Sequence, residues 1–306
     1  MEILFRFLLS VLITTSILIT NVYAGDRWYV DATAVGKAGR YSDSVLREDF
    51  YSASAWLNID YLDEYSFSFA YNNLKINYKD AGSGAFNIVQ EAFTGRFQYY
   101  FYNDALAGKI TTQLVAYRLI NDSPAAMAGS ASIISPKLAY MHYDKDLSVD
   151  IEYVWSDYAS SNLGSNLIIQ QFAPSIGFGF NQNSDWLELK AYLITSNDKS
   201  QSQGEGSLTS ARVKWKHWLD PEAIFGVNSF FIDALAGQRI FAVDNETYTV
   251  FNLEDIQQES VLLGFGWRPG EDFDISAVAG IEKYKNKIID NTYNREYFYI
   301  SLTKHW

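Results

Sequence analysis

The chain of 306 residues carries a formal net charge of −12, which argues against binding to the phosphates of a nucleic acid. It contains no cysteine, and this excludes disulfides, cysteine-ligated zinc, a thiol nucleophile and a lipoprotein anchor. Its 20 Phe, 22 Tyr and 8 Trp, set beside only 5 Pro, favour β-strands.

Residues 1–24 predict a cleaved signal peptide that is not part of the fold. Arg6 supplies a basic start, the stretch from Phe7 to Ile19 is apolar, and Val22-Tyr23-Ala24 offers a cleavage site. An uncleaved membrane anchor is the alternative, but this apolar run is shorter than the ~20 residues that a spanning helix needs. We therefore expect an exported protein whose residues 25–306 form one domain.

Alternation of apolar and polar side chains predicts about fourteen strands in that domain. They are expected near residues 28–36, 50–61, 65–78, 88–102, 108–120, 132–143, 146–157, 167–182, 185–196, 208–218, 224–235, 256–267, 273–285 and 293–306.

The connections between these strands alternate in length. The odd ones are the longer: 37–49, 79–87, 121–131, 158–166, 197–207, 236–255 and 286–292. The even ones are short: 62–64, 103–107, 144–145, 183–184, 219–223 and 268–272. Short periplasmic turns with longer extracellular loops are typical of outer-membrane barrels, whereas the Greek-key crossings of a soluble sandwich would break the alternation. The sequence thus predicts an all-β fold, a transmembrane antiparallel up-and-down β-barrel.

The hairpin from Ile134 to Trp155 shows the pattern most clearly. A two-residue turn at Asp144-Lys145 would pair residue 140 with 149 and Lys137 with Glu152. Both arms then share one mostly apolar face, and Lys137 and Glu152 make a pair of opposite charge on the other face. In a membrane barrel the apolar face meets lipid and the charged face lines a wet interior.

Tryptophan positions support a membrane-spanning barrel. Five of these residues fall near the short turns, where amphipathic rings are expected at the boundary between lipid and water. They are Trp28, Trp186, Trp218, Trp267 and Trp306.

The last strand carries a family resemblance. From Tyr297 to Trp306, the face that holds the terminal tryptophan also holds Phe298, Ile300 and Leu302. This resembles the C-terminal targeting strand of Gram-negative outer-membrane β-barrel proteins, although Trp replaces the usual Phe and Lys304 occupies a position that is usually apolar. The resemblance implies assembly by the outer-membrane insertion machinery and a place in the cell outer membrane among its lipids and lipopolysaccharide. By size and strand count the chain looks like the monomeric fourteen-stranded channel class.

Catalytic chemistry finds little support. His142, His217 and His305 all lie near the short turns, and three scattered histidines make a poor metal site. Gly177 and Gly179 form a Gly-x-Gly motif, but no helix follows it, so a phosphate loop is unsupported. We therefore expect no catalytic residue, no metal, no cofactor and no enzymatic activity.

Charged residues on the polar faces are predicted to line a pore. They are Lys137, Asp150, Glu152, Glu188, Lys190, Arg212, Lys214 and Lys216. A turn at Asn183-Ser184 would set Gly177 opposite Lys190. Pairing of the next two strands about residue 202 would set Lys214 opposite Lys190, leaving both without a local counter-charge. The cations then form either a basic strip that guides anions or sugars, or a structural network neutralised by acids on more distant strands.

Three functions remain open. The first is a monomeric porin-like channel for passive diffusion of small hydrophilic solutes, gated by residues 236–255 folding over its mouth. Fourteen strands permit a narrow pore without requiring one. The second is a non-conducting barrel with a structural, adhesive or export-accessory role. The third is an outer-membrane lipid-modifying enzyme with a catalytic His142, and the position of that residue argues against it.

Overall fold

We analysed a computed structural model of the chain, which describes residues 27–62, 64–79, 87–121, 130–159, 166–220, 226–250 and 254–306. The predicted signal peptide, residues 1–24, lies outside these ranges and remains a prediction. None of the helices within these ranges is long and apolar enough to cross a membrane.

Sixteen strands, β1 to β16 in chain order, make up most of the structure. They are β1 (Trp28–Ser42), β2 (Arg47–Tyr61), β3 (Tyr65–Tyr78), β4 (Asn87–Asn103), β5 (Gly108–Asn121), β6 (Ala131–His142), β7 (Leu147–Tyr158), β8 (Leu167–Phe180), β9 (Asp185–Ser196), β10 (Ser207–Trp218), β11 (Val227–Arg239), β12 (Val243–Asp244), β13 (Thr249–Val250), β14 (Ile256–Gly270), β15 (Phe273–Asn286) and β16 (Asn291–His305). A 3₁₀ turn, Asp104–Leu106, joins β4 to β5.

Fourteen of these strands form one closed antiparallel barrel, in which each strand pairs with its neighbours in sequence and β16 closes onto β1. The other two, β12 and β13, pair only with each other and form a small separate hairpin. The predicted all-β, up-and-down barrel is therefore confirmed, including its strand number.

The barrel is inverted relative to a soluble protein. Outward-facing Leu189 and Phe67 are 40% and 37% exposed, whereas inward-facing Glu152 and Lys190 are 1% and 3% exposed. Period-two alternation produces this result, because each strand directs every second side chain to the same face. The assignment of apolar faces to the outside and charged faces to the interior is confirmed.

Strand register agrees with the prediction in one hairpin and departs from it in the next two. Tyr140 pairs with Val149 and Lys137 with Glu152, as the turn at Asp144-Lys145 predicted. In the β8–β9 pair, however, Lys190 lies opposite Ser175 instead of Gly177. The reason is the turn, which spans residues 181–184 and contains three successive residues with positive φ, Asn181 to Asn183, in place of the expected two-residue turn.

The β9–β10 pair is also shifted by two residues, so that Lys214 lies opposite Glu188 and Arg212 opposite Lys190. The predicted pairing of Lys214 with Lys190 is therefore wrong. A shift of two residues preserves the face on which each side chain lies, because the side-chain period is also two. The predicted inward faces were thus correct even where the partners were not.

The first connection was predicted to be long and the thirteenth to be intermediate, and both are short. Strand β1 continues to Ser42 and β2 begins at Arg47, so the first connection is 43–46 and not 37–49. The thirteenth is likewise reduced to 287–290. The polar residues of 37–49 indicated a loop, but inward-facing Lys37 contacts the ring of Tyr297, with its Nζ 4.0 Å from the ring centroid. Polar side chains that point into a lumen therefore do not interrupt a strand.

Gly39 makes the closing seam of the barrel sensitive to side-chain size. A methyl group at this position of β1 would press against the backbone carbonyl of Glu296 in β16 and against Phe50. We expect Gly39→Ala to lower the free energy of unfolding by about 1–3 kcal/mol, as overpacking does. The measurement is the urea midpoint of the barrel in detergent micelles. Gly95→Ala is the matched control, because no atom lies within 4 Å of the added group there. Equal effects at the two positions would contradict tight packing at the seam.

Candidate channel lumen

The eight charged residues that the sequence singled out all lie on inward faces, at neighbouring positions of β6, β7, β9 and β10. Lys190 Nζ lies 3.6 Å from Glu152 Oε2, and Lys137 Nζ lies 3.2 Å from Asp150 Oδ1. Lys137 and Glu152 face each other in register, as predicted, but each forms its ion pair with a different residue. With the pair of Arg212 and Glu188, these eight residues form three ion pairs among themselves where the sequence predicted one.

Lys190 and Lys214 both have counter-charges, so the prediction that they lack them is wrong. Lys190 pairs with Glu152, and Lys214 Nζ lies 3.1 Å from Glu246 Oε2. Lys216 lies closer to the short turns, with its Nζ 4.8 Å from the ring centroid of Trp218. Whether these residues line a conducting pore remains a prediction.

Residues 240–250 of the eleventh connection, directly after β11, enter the barrel, which corrects the expectation that residues 236–255 fold over its mouth. The β11–β14 register shifts between Ala236 and Arg239, where Gly237 has a φ of +105°, and the chain leaves the wall after Arg239. The segment Ile240–Val243 is 0–2% exposed and belongs to one buried apolar cluster with inward residues of β4 to β10 and β14. Within this cluster the rings of Phe241 and Tyr158 are 5.0 Å apart.

The strands β12 and β13 and the turn between them, residues 243–250, form the lumenal hairpin. Its turn reaches the other side of the barrel, where the ring of Tyr248 lies 5.2 Å from that of Trp56 in β2. Gln171 holds the start of the hairpin, since its Nε2 donates to the Val243 carbonyl at 2.9 Å and its Oε1 accepts from the Val243 amide at 3.1 Å. Asn245 Nδ2 donates to Ser135 Oγ at 2.6 Å. The hairpin thus crosses the lumen with polar anchors on the wall.

Two acids of the lumenal hairpin bind two cations of the wall. Glu246 Oε1 lies 2.7 Å from an Arg212 guanidinium nitrogen, and its Oε2 lies 3.1 Å from Lys214 Nζ. Asp244 Oδ2 lies 3.4 Å from Arg212. Burial alone would raise the pKa of Glu246, but the charges of Arg212 and Lys214 outweigh it and hold that pKa well below its ordinary value. Glu246 is therefore a carboxylate at neutral pH.

A second connection, residues 197–206, packs over the base of the eleventh. Ser202 within it is fully buried, and Gln203 Nε2 donates to the Glu254 carbonyl at 2.6 Å and to Asp255 Oδ1 at 3.2 Å. Asp255 also binds Arg47 of β2. The long-connection end of the barrel is thereby covered by chain that is hydrogen-bonded to opposite walls.

Beside the lumenal hairpin lies a cavity of about 280 Å³. Its lining includes hydroxyl and amide groups such as Ser52 and Asn72, charged side chains such as Lys214 and Asp233, and aromatic rings such as Phe231. Most of the lining residues can hydrogen-bond, so the cavity is suited to a hydrogen-bonding solute.

The three histidines each contact carboxylates at the short-turn end. Nδ1 of His142 lies 2.8 Å from Asp146, and Nδ1 of His217 lies 2.9 Å from Asp185. His305 lies between two carboxylates. In the described ranges, no group of three or more His, Asp or Glu side chains is arranged to hold a metal ion. The predicted lack of metal and cofactor remains a prediction.

Six charged residues on the lining of the cavity beside the lumenal hairpin were not predicted from the sequence: Lys37, Asp233, Arg239, Asp244, Glu246 and Glu282. Asp233 could have been assigned to the lumen, because it lies on the same face of β11 as Phe231 and Leu235. Lys37 was missed because it fell within the predicted first connection, residues 37–49. Asp244 and Glu246 carry no strand-length alternation that would place them inside a barrel.

With this geometry in place, comparison with solved structures shows which proteins share the fold. The toluene transporter TodX of P. putida is 8% identical with a TM-score of 0.53, and the alignment covers 93% of this chain and 91% of that one. A Pseudomonas aeruginosa FadL homologue is 10% identical with a TM-score of 0.50, covering 91% and 90%. A bacterial polysaccharide outer membrane secretin is 10% identical with a TM-score of 0.54, covering 90% and 98%.

These similarities establish the fold: the chain has the closed antiparallel barrel of outer-membrane channels and resembles their fourteen-stranded class. No protein-family model matches the sequence, and no curated protein is significantly similar to it. The names of the similar structures cover different cargoes, and a shared fold does not decide between them.

Proposed function

We propose that the protein is a monomeric, non-enzymatic channel of the bacterial outer membrane that admits small hydrophilic solutes by passive diffusion. The observation that carries the proposal is the polar cavity inside a barrel whose outer wall is apolar. Ions and hydrogen-bonding solutes cross a bilayer slowly because their desolvation is costly, and a polar lumen removes that barrier.

Two of the structural neighbours are named for hydrocarbons, TodX as a toluene transporter and CymD as a monoaromatic hydrocarbon channel. The central cavity here favours a different cargo. Ser52, Asn72, Asp233 and Ser301 on its lining would lose water to an apolar solute without gaining a partner. A hydrophilic solute can replace that water with hydrogen bonds.

The orientation follows from the fold class. In outer-membrane barrels the short turns face the periplasm and the longer connections face outward. The end of this barrel that is covered by residues 197–206, hydrogen-bonded to Glu254 and Asp255, is then the extracellular one. Outer-membrane lipids and lipopolysaccharide surround the apolar wall, and the outer-membrane insertion machinery assembles it.

One observation favours a second candidate, the non-conducting barrel. Ile240–Val243 fills part of the lumen with buried apolar side chains, as a permanent plug would. The two candidates differ in whether the segment can leave the lumen while the barrel stays folded.

Reconstitution of the purified protein tests the proposal. In planar bilayers we expect discrete conductance steps, and in liposome swelling we expect arabinose to enter and a large oligosaccharide to be excluded. The variant Val243→Asp, which should displace the segment Ile240–Val243 from the lumen, is measured in parallel. A barrel that is folded by its heat-modifiable band on gels, yet silent both as the natural sequence and as Val243→Asp, would contradict a channel and favour the second candidate.

A further inference from the structure

The lumenal hairpin presents two carboxylates to the wall in the way that a bound solute would. Asp244 and Glu246 are separated by one residue, and both reach Arg212, while Glu246 also reaches Lys214. The hairpin belongs to no barrel sheet, and β12 and β13 pair only with each other. Its acidic groups are therefore tethered ligands of the wall and not part of the wall itself.

The wall alone leaves these cations incompletely neutralised. Glu188 of β9 binds Arg212, but Asp233 of β11 is 4.0 Å from Arg212 Nε, at the limit of an ion pair. Departure of the hairpin would remove both carboxylate contacts of Glu246 and the contact of Asp244. Arg212 and Lys214 would then face the lumen as an anion site made of one planar guanidinium and one ammonium group.

The adjoining cavity gives a solute access to this site while the hairpin is still seated. Lys214 and Glu246 are both on its lining, so a solute there touches the ion pair directly. Lys37 is on the same lining. In the described part of the chain it forms no ion pair with a carboxylate, and its Nζ is 4.0 Å from the ring centroid of Tyr297. An anion in the cavity therefore has the amino group of Lys37 within the same cavity as Lys214.

We propose that small dicarboxylates compete with Asp244 and Glu246 for Arg212 and Lys214, unseat the lumenal hairpin, and are the solutes that the channel admits best. The proposal rests on the proposed channel function and names its solute class. Two carboxylates match the seated pair in charge and number. A monocarboxylate replaces only one of the two contacts, and a neutral solute replaces neither.

Single-channel recording with succinate tests this exchange. Added to the natural protein at constant ionic strength, succinate should raise the open probability on the order of tenfold, a typical size for coupling between a ligand and a conformational equilibrium. Succinamide, which has the same shape without the charges, should have no effect. The double variant D244N/E246Q should be open without succinate and indifferent to it.

Glu188→Gln is the matched control, because it removes a carboxylate from the same Arg212 without touching the hairpin. It should keep the succinate response, and because it removes a carboxylate that competes with Glu246 for Arg212, its open probability should fall, whereas that of D244N/E246Q should rise. The single variant Glu246→Gln provides an intermediate case if the double variant assembles poorly, and the heat-modifiable gel band reports folding for all of them. A conducting natural protein that ignores succinate, or equal behaviour of Glu188→Gln and D244N/E246Q, would overturn the proposal while leaving the channel function standing. Silence of every folded variant, including Val243→Asp, would overturn the channel function itself.

Discussion

Replacing Val243 with Asp should turn a mostly closed channel into a mostly open one. Val243 is fully buried in the apolar cluster, and Gln171 already binds its backbone amide and carbonyl. A carboxylate at this position has no place among apolar neighbours, and burying it without a partner costs several kcal/mol. The hairpin can avoid that penalty by leaving the lumen, because it does not pair with the barrel wall.

The expected size of the effect follows from the equilibrium between seated and unseated hairpin. A penalty of about 3 kcal/mol on the seated state changes the ratio of the two states by more than a hundredfold. The measurement is the open probability and the arabinose swelling rate of Val243→Asp beside the natural protein. Both should rise, and the barrel should keep its heat-modifiable band.

Thr247→Asp is the matched control for this experiment. It adds the same charge to the same hairpin, but Thr247 is exposed at the turn and lines the polar cavity. Its effect on open probability should therefore be small. If the two aspartates opened the channel equally, charge on the hairpin and not burial of Val243 would be the cause.

The part of this structure that the sequence predicts is the part governed by local alternation. The alternation within a single strand shows which of its residues share a face. The inward positions of Glu152, Lys190 and Arg212 could therefore be inferred without knowing which strands pair. Even the pairing of Lys137 with Glu152 was accessible, because a two-residue turn leaves one register. Because the solvent outside the barrel is lipid, the charged side chains were expected inside and Leu189 outside.

The part that could not be predicted depends on contacts between distant segments. The turn at Asn181–Asn183 contains three residues with positive φ. It shifts the strand register, so Lys190 has a different cross-strand partner from the predicted one but still points into the lumen. The lumenal hairpin is the larger case. Its two strands are too short to show a period, and its position is set by Gln171, Ser135, Arg212 and Tyr117 on separate strands. The hairpin partners of Arg212 and Lys214 could therefore not be predicted from the sequence, although the inward positions of the two cations could.

Removing one member of the buried Glu152–Lys190 pair should produce a large loss of stability in the wall. Both side chains are 1% exposed, and Lys190 Nζ lies 3.6 Å from Glu152 Oε2. Lys190→Met would leave the Glu152 carboxylate buried without this partner, and breaking a buried ion pair in this way costs about 3–5 kcal/mol. Urea unfolding in micelles, followed by tryptophan fluorescence, measures the change.

The same pair predicts a rescue that separates lost charge balance from lost packing. The double variant Glu152→Gln with Lys190→Met removes both charges and retains most of the side-chain volume, so it should recover most of the stability that Lys190→Met loses. Lys137→Met is the matched control, because its pair with Asp150 is 20% and 13% exposed, more than the Glu152–Lys190 pair, and should cost less to break. A double variant no more stable than Lys190→Met would show that the lysine stabilises the barrel through packing. Recovery would show that the wall tolerates a neutral pair at this position, and that the charges are retained for the lumen they face and not for the fold.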